Sequence, residues 1–459
     1  MFDQLDVHLE MVLAASPPQA ERRRVSTTME PSSMGAETER TSRWPGQHMP
    51  GNPMSQLMPV SQAQERLLGL VAPRATAEEL VPLVRAQGRV LSRPVVTRWP
   101  LPGCDNSEMD GFAVRADDCA TASPTTPLAL PVAGDARAGM AIGTLARGTV
   151  VAVATGAPVP LGADAVVPVE DTRQDGEATV LLLAAPRPGQ HVRHAGEDVE
   201  TGETMLPLGR RLRPVDIAAC AAVGGSSVWV RRRPRVAVLS GGDELVPVGA
   251  VPAPHQVTDS NAVMLAAAIA EAGGEAIALG MVGDSPDALR ERLDGAGGCD
   301  LIITSGGVSV GRYDYVKQVV GELGTIEAWH LALRPGKPLL IGRVGDVPML
   351  GLPGNPVSAA VTFELFGRPA LLALQGASQV HRRRVALRVG EDLETPTDLE
   401  TFLRVRLTDA SDGIPVATLS GGQRSSMLRS LTDAEALLVV PAGMSRAPAG
   451  TVLTGLGLG

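Results

Sequence analysis

Four glycine-rich turns hold most of the chemistry this chain could perform: SGGDEL (240–245), SGGVSVG (305–311), RPGKP (334–338) and GLPGNP (351–356). Glycine lets backbone come close to a ligand, so Ser305, Gly306, Gly307, Ser309 and Gly311 could turn amides and hydroxyls toward a phosphate. The same loop also suits a plain strand-to-helix turn, and it matches neither the Walker A motif nor the dinucleotide fingerprint. Lys337 adds a point charge beside it, and Arg334 a planar fork able to grip an oxyanion through two bonds. Four carboxylates, Asp243, Glu244, Asp284 and Asp314, stand at expected strand ends or helix starts. Each alone fits a helix cap or a solvated turn as well as a ligand role. Together on one rim they form a donor set for a hard cation such as Mg²⁺, which would also tune how a phosphoanhydride is held and broken. A separate loop, PGCDNSEMDGFAVR (102–115), crowds Asp105, Asn106, Ser107 and Asp110 between proline and glycine. By itself it reads as an elaborate turn.

The elements that must position these turns are strands. β-type stretches at 235–239, 301–304, 326–333 and 347–350 each run into one of the four. Helices are expected to open at Asp259, Ser260 and Asn261, at Ser285 with Pro286 in the first turn, over 313–323, and at Asn355 with Pro356. This alternation predicts βαβ units, a mostly parallel sheet and a three-layer α/β domain over 233–378. Ligands of such sheets bind beyond the carboxyl ends of the strands, so the turns should converge on one pocket.

Upstream, helices are expected over 61–71, with Ser61 as cap, and over 77–87, followed by an extended run at 90–96. Residues 58–100 and 187–232 share this texture and read as one discontinuous linking domain, elongated in shape. Residues 101–186 form short strands punctuated by proline and glycine, an inserted β domain carrying Asp110. Strand-like runs resume over 379–459 as a small C-terminal β-barrel-like domain. The first 57 residues lack periodicity and read as a disordered leader. The fold class is therefore multidomain α/β plus β.

Composition narrows the function. The 459 residues are 44% hydrophobic but only 2% aromatic, so cores must be built from Ala, Val and Leu. A net charge of −9 argues against a nucleic-acid surface, and the arginine triplets at 22–24, 231–233 and 382–384 read as solvated or domain-junction charge. Cys104, Cys119, Cys220 and Cys299 show no CxxC spacing, which disfavours a disulfide framework or structural zinc and points to a reducing cytoplasm. His191 and His194 read as surface residues. No apolar run reaches the ~18 residues that span a membrane, and no signal-peptide layout is present.

The 102–115 loop resembles the DNSAMDGYAVR signature of the molybdopterin molybdenumtransferases, the MoeA family that includes gephyrin and plant molybdenum-insertase E domains. The resemblance continues in family order through ATGAPVPLGADAVVPVED (154–171), RHAGEDV (193–199), SGGDEL, TDSN (258–261), SGGVSVGRYDYVK (305–317), LRPGKP and GLPGNPVSA. It implies an enzyme that inserts molybdate into the dithiolene of adenylylated molybdopterin and releases AMP, using Mg²⁺ or a similar cation. It also implies an elongated, four-domain homodimer whose active site lies between the α/β domain and the partner subunit's DNS loop. Carried onto this chain, the family's functional residues fall on Asp110, Thr155, Glu244, Asp284, Asp314 and Lys337. Glu244, Asp284 and Asp314 would hold the cation or position water. The 305–311 loop, Arg334, Lys337, Pro353 and Pro356 would receive the phosphate and pterin end, with Arg334, Lys337 and Ser309 helping molybdate. Implied partners are a molybdopterin adenylyltransferase upstream and apo-molybdoenzymes downstream, with neither nucleic acid nor membrane. Departures are Gly241 for a threonine, Glu108 for a small residue, Phe112 for tyrosine, and Arg334 where some relatives have lysine. They leave open a tungstate-specialised paralogue. A non-catalytic cofactor carrier or scaffold is the rival class, and the small adenylyltransferase and nucleotide-recycling hydrolases lack the DNS loop.

Overall fold

The computed structural model describes residues 57–176, 178–308 and 315–458. All of the expected leader but Leu57, and also Ser309, Gly311 and Asp314, lie outside the described residues. The chain forms two compact units, one built from the chain up to Ala77 and again from Arg231, the other from Glu78–Val230.

The first helix, α1 (Val60–Val71), buries Val60, Ala63, Leu67 and Val71, a stripe at helical spacing. It starts one residue ahead of expectation. Pro59 occupies the cap position and Ser61 makes no capping bond. The helix expected over 77–87 is instead a strand, Glu78–Pro82, and a 3₁₀ turn, Leu83–Arg85. Pro82 explains the difference, since it has no amide to donate and pushes the residue before it out of helical geometry.

Within Glu78–Val230 the main sheet comprises β1 (Gly111–Val114), β2 (Leu128–Ala136), β3 (Val150–Val153), β4 (Ala165–Pro168), β5 (Thr172–Gln174) and β6 (Thr179–Leu182), in the order β4-β1-β3-β2-β6-β5. Only β2 and β3 run parallel. Successive side chains face opposite sides, so Val114, Val150, Ala165, Val167, Val180 and Leu182 fill one core while Ala113, Val151, Val153 and Val166 fill the other. Helix α2 (Pro214–Ala222) contributes Cys220 to a third cluster, with Val81, Leu91, Leu206, Leu212, Val228 and Val230.

The other unit contains the alternation read from the sequence. Its elements are β7 (Arg235–Gly241), α3 (Ser260–Glu271), β8 (Glu275–Val282), α4 (Pro286–Asp294), β9 (Leu301–Ser305), α5 (Val316–Leu323), β10 (Gly324–Trp329), β11 (Leu340–Val344) and β12 (Val347–Leu352). The sheet order is β8-β7-β9-β12-β11-β10. β7, β8, β9 and β12 are parallel, and β11 is antiparallel to both neighbours, which returns β10 to the common direction. One face packs Val236, Val238, Leu301, Ile303 and Leu350 under α1, α3 and the long helix α6 (Pro356–Leu374). The opposite face packs Ala237, Leu239, Ile302 and Met349 under α4 and α5.

Two sequence expectations change here. The strand expected over 326–333 ends at Trp329, because His330 takes a left-handed φ of 67°. Leu333–Arg334 then pairs with Glu400 and Thr401 farther along the chain. Helix α6, at 19 residues, is long and apolar enough by length and composition to cross a membrane, against the reading that no such run exists. It is a core helix, with 78% of that stretch buried, and its Glu364 is ion-paired with Arg368 at 3.3 Å.

The C-terminal strands β13 (Arg384–Val389), β14 (Glu400–Thr408), β15 (Val416–Leu419), β16 (Ala436–Val440) and β17 (Val452–Gly457) close on themselves. The circuit β14-β15-β13-β17-β16-β14 makes a five-stranded barrel, filled by Leu387, Val389, Val405, Leu438 and Val440.

Candidate functional site

Beyond the carboxyl ends of β7, β9 and β12 lies a cavity of about 710 Å³. Seven residues singled out from the sequence line it: Glu244, Asp284, Ser305, Gly306, Gly307, Pro353 and Pro356. Gly306 has φ 91°, and a Cβ there would strike the Gly241 carbonyl, so only glycine lets the loop after β9 pass this close to the loop after β7. The carboxylate of Glu244 folds back over Gly242, where any side chain would meet its oxygens at 2.5 Å. Asp284 is aimed from its backbone, since its amide donates to Asp243 Oδ1 at 3.0 Å. Asp243 is thus a positioning residue for the second cavity acid.

Asn261 supplies a tie that the reading of the turns did not assign. Its Nδ2 donates to Ser305 Oγ and to Gly354 O, both at 2.8 Å, joining three of the converging segments. Its place in TDSN, in the first turn of a helix capped by Asp259 through Ala262 N at 3.1 Å, was the available signal. Buried Asn261 Oδ1 and Ser240 Oγ have no hydrogen-bond partner among the described residues, though both residues line this cavity. Unsatisfied polar atoms of this kind cost stability unless a ligand or water meets them, which suits a polar ligand site.

The turn after β10 departs from the expected convergence. Of it only Pro338 reaches the cavity wall. Lys337 is exposed and lines no cavity, and Arg334 lines a second one of about 270 Å³ with Arg404. The pairing of Leu333–Arg334 with β14 draws Arg334 toward the barrel. Arg404 is 1% exposed, and its guanidinium donates only to neutral acceptors: Ser430 Oγ at 3.2 Å, Gly422 O at 3.2 Å and Arg424 O at 3.3 Å. Burial, and then Arg334, lower its pKa to about 10. A buried cation with no bonded carboxylate, beside a second cation, can receive an anion, although Asp392 and Glu394 line the same cavity. Nothing in TFLRVRL, which reads as an ordinary alternating strand, points to this burial.

In the Glu78–Val230 unit the structure brings Asp110 and Thr155 together. Asp110 Oδ1 accepts from the Thr155 amide at 2.6 Å and from its hydroxyl at 3.0 Å. These bonds, the amide first, hold the exposed Asp110 carboxyl below its ordinary pKa. The loop presenting it is pinned by pairing of Asn106 and Ser107 with Arg193 and Val192. Both nearby histidines have acid partners, which the surface reading missed: His191 Nδ1 lies 3.5 Å from Glu108 and His194 Nδ1 3.2 Å from Asp105.

Among the described residues no three His, Cys, Asp or Glu side chains are close enough to hold a metal alone. Two carboxylates on one polar cavity remain a suitable donor set for Mg²⁺, which is commonly held by one or two carboxylates plus substrate phosphates and water. All four cysteines are free, and burial pushes the Cys119 thiol up to about 11, with Asp118 and Asp164 adding to it.

Comparison with known proteins agrees along the chain. Residues 58–224 match the family described as MoeA N-terminal region (domain I and II), 237–373 a probable molybdopterin binding domain, and 386–454 the MoeA C-terminal region (domain IV). Molybdopterin molybdenumtransferase 2 of Mycobacterium tuberculosis is 41% identical over 388 residues, covering 83% of this chain and 95% of that protein. The molybdopterin molybdenumtransferase of a Nostoc species is 39% identical over 373 residues, 80% of this chain and 85% of that one. Among solved structures, a molybdopterin biosynthesis MoeA protein of Pyrococcus horikoshii superposes with a TM-score of 0.76 at 28% identity, covering 87% of this chain and all of that one.

Proposed function

This chain belongs to the MoeA family of molybdopterin molybdenumtransferases, and from that premise we propose that it inserts molybdate into adenylylated molybdopterin and releases AMP. The observation that carries the proposal is the 710 Å³ cavity, where glycine-loop backbone, two acids and a bridging asparagine meet at the strand ends. The loop at Ser305, Gly306 and Gly307 takes the phosphate and pterin end. Glu244 and Asp284, with Asp314 from the adjoining segment, would hold Mg²⁺. That ion would supply neutralisation of the charge on the phosphoanhydride. Asp243 keeps the Asp284 carboxylate directed by fixing its amide, and Asn261 keeps the loops of β9 and β12 in register.

Molybdate is a tetrahedral dianion and needs donors rather than carboxylates. We assign its entry to the small cavity of Arg334 and Arg404, where the buried guanidinium bonds no acid and Asp392 and Glu394 lie on the same wall. Asp110 and Thr155 are assigned to a homodimer, each subunit offering the pair to the other's cavity. The reading also assigns the protein to the cytoplasm, with a molybdopterin adenylyltransferase supplying its substrate and apo-molybdoenzymes taking its product.

The test is to mix the full chain with adenylylated molybdopterin, Mg²⁺ and molybdate and to follow AMP by chromatography. Molybdate-dependent AMP release with activation of an apo-molybdoenzyme is expected, with a loss of at least 100-fold in Asp284→Ala, the order expected for removing one preorganised charge. Binding of the adenylate without AMP release defeats the insertase reading.

A further inference from the structure

Among its 41 basic side chains the protein has two lysines, Lys317 and Lys337; every other is arginine. An ammonium differs in being a compact point charge with three rotatable donors. Both lysines lie near His330: the Leu331 amide next to it donates to the Lys337 carbonyl at 2.8 Å. Lys317, the second residue of α5, sets its Nζ 3.5 Å from the centroid of Trp329 at the end of β10. The His330 ring stacks on Trp329 at 4.0 Å and 26°. His330 is held neutral-leaning by burial first, then by Lys337 and then by Lys317, so both lysines act on the histidine. Lys317 is itself partly withdrawn from water.

Three features set this cluster apart from solvated surface charge. No carboxylate pairs with Lys317, His330 or Lys337 among the described residues, in a chain of net charge −9. His330 occupies a left-handed backbone conformation (φ 67°) that non-glycine residues seldom adopt and that concentrates at ligand sites. The cluster is also wired to the cavity, for Trp329 Nε1 donates to Val308 O at 3.0 Å, and Val308 lines the cavity wall beside Gly307.

We propose that Lys317, His330 and Lys337 form a phosphate-binding site beside the main cavity. It takes a phosphate group of a ligand whose remainder lies in that cavity. Two ammoniums and an imidazole can each donate to a phosphate, and the indole holds Lys317 in place by its ring face. The inference deepens the proposed function, naming residues for a phosphate of its substrate, but its binding arm stands without it.

Inorganic phosphate is the probe, titrated calorimetrically into the full chain at constant ionic strength. Lys317→Met is expected to weaken binding at least tenfold, while Arg446→Gln, which removes a remote positive charge, leaves it within twofold. Should Lys317→Met fail to fold, Lys337→Met, at an exposed position, reads the same loss. Unchanged phosphate affinity in a folded lysine variant overturns the site, as does an equal loss in Arg446→Gln. The molybdate-dependent assay separates the two ideas. Normal turnover with unchanged phosphate affinity in Lys317→Met sinks the site and leaves the insertase reading standing. Lysine-dependent phosphate binding with no turnover by any form does the reverse.

Discussion

Asp110 shows how a single residue's chemistry is set by its neighbours. Its carboxyl is exposed, so the low pKa comes from two donors on Thr155, the amide being the larger. Thr155→Ala removes the hydroxyl and keeps the amide, so the Asp110 midpoint should rise only part of the way to its ordinary value, as carboxyl-carbon NMR would read. A full return would mean that the hydroxyl dominates. His330 titrates in the complementary way. Its depressed pKa means that protonation is disfavoured in the folded protein, so its contribution to stability is present above about pH 6.5 and is lost as pH falls below that. Lys317→Met should raise the His330 midpoint slightly, because burial, the larger cause, stays; proton NMR of the imidazole measures it.

Among the elements, the strands were the most legible part of the sequence, and the glycine turns after them were equally plain. Val236, Val238, Leu301 and Ile303 alternate with Ala237, Leu239 and Ile302 between two cores, a pattern that period-two reading captures directly. The misreadings have tertiary causes. Leu80, Val81, Leu83 and Val84 imitate a helical stripe that Pro82 forbids, and Arg334 is carried from the pocket by a strand pairing with residues about 65 positions downstream. Arg404 was invisible because its burial depends on barrel closure. Gly306 gives an element-level prediction. Gly306→Ala must adopt a strained φ of 91° and meet the Gly241 carbonyl, so it should cost about 1–3 kcal/mol in chemical denaturation and weaken AMP binding. A stability change under 0.5 kcal/mol would show that the β7 and β9 loops can separate.

For the whole molecule, the partition of the cores is the main fact. Three clusters lie wholly inside Glu78–Val230, and none of their residues comes from outside it. A fragment of 78–230 should therefore fold alone with a cooperative thermal transition. A fragment of 231–459 lacks Val60, Ala63, Leu67 and Val71 of α1, which belong to the largest core. It should be less stable than the same segment supplied with a 57–77 peptide. Circular dichroism during heating decides both, and a non-cooperative 78–230 would refute the partition.

Helix α1 has a further consequence for how the protein is made. Gln64 donates to the Leu365 carbonyl at 2.8 Å, across 301 residues of chain. At about 5–20 residues per second, a ribosome completes α1 roughly 15–60 s before α6 emerges to receive it. The intervening Glu78–Val230 unit has time to fold in that interval, while α1 waits with its apolar stripe uncovered. Nascent chains stalled before Pro356 should thus recruit a holdase to residues 60–71, and release it once α6 has left the exit tunnel.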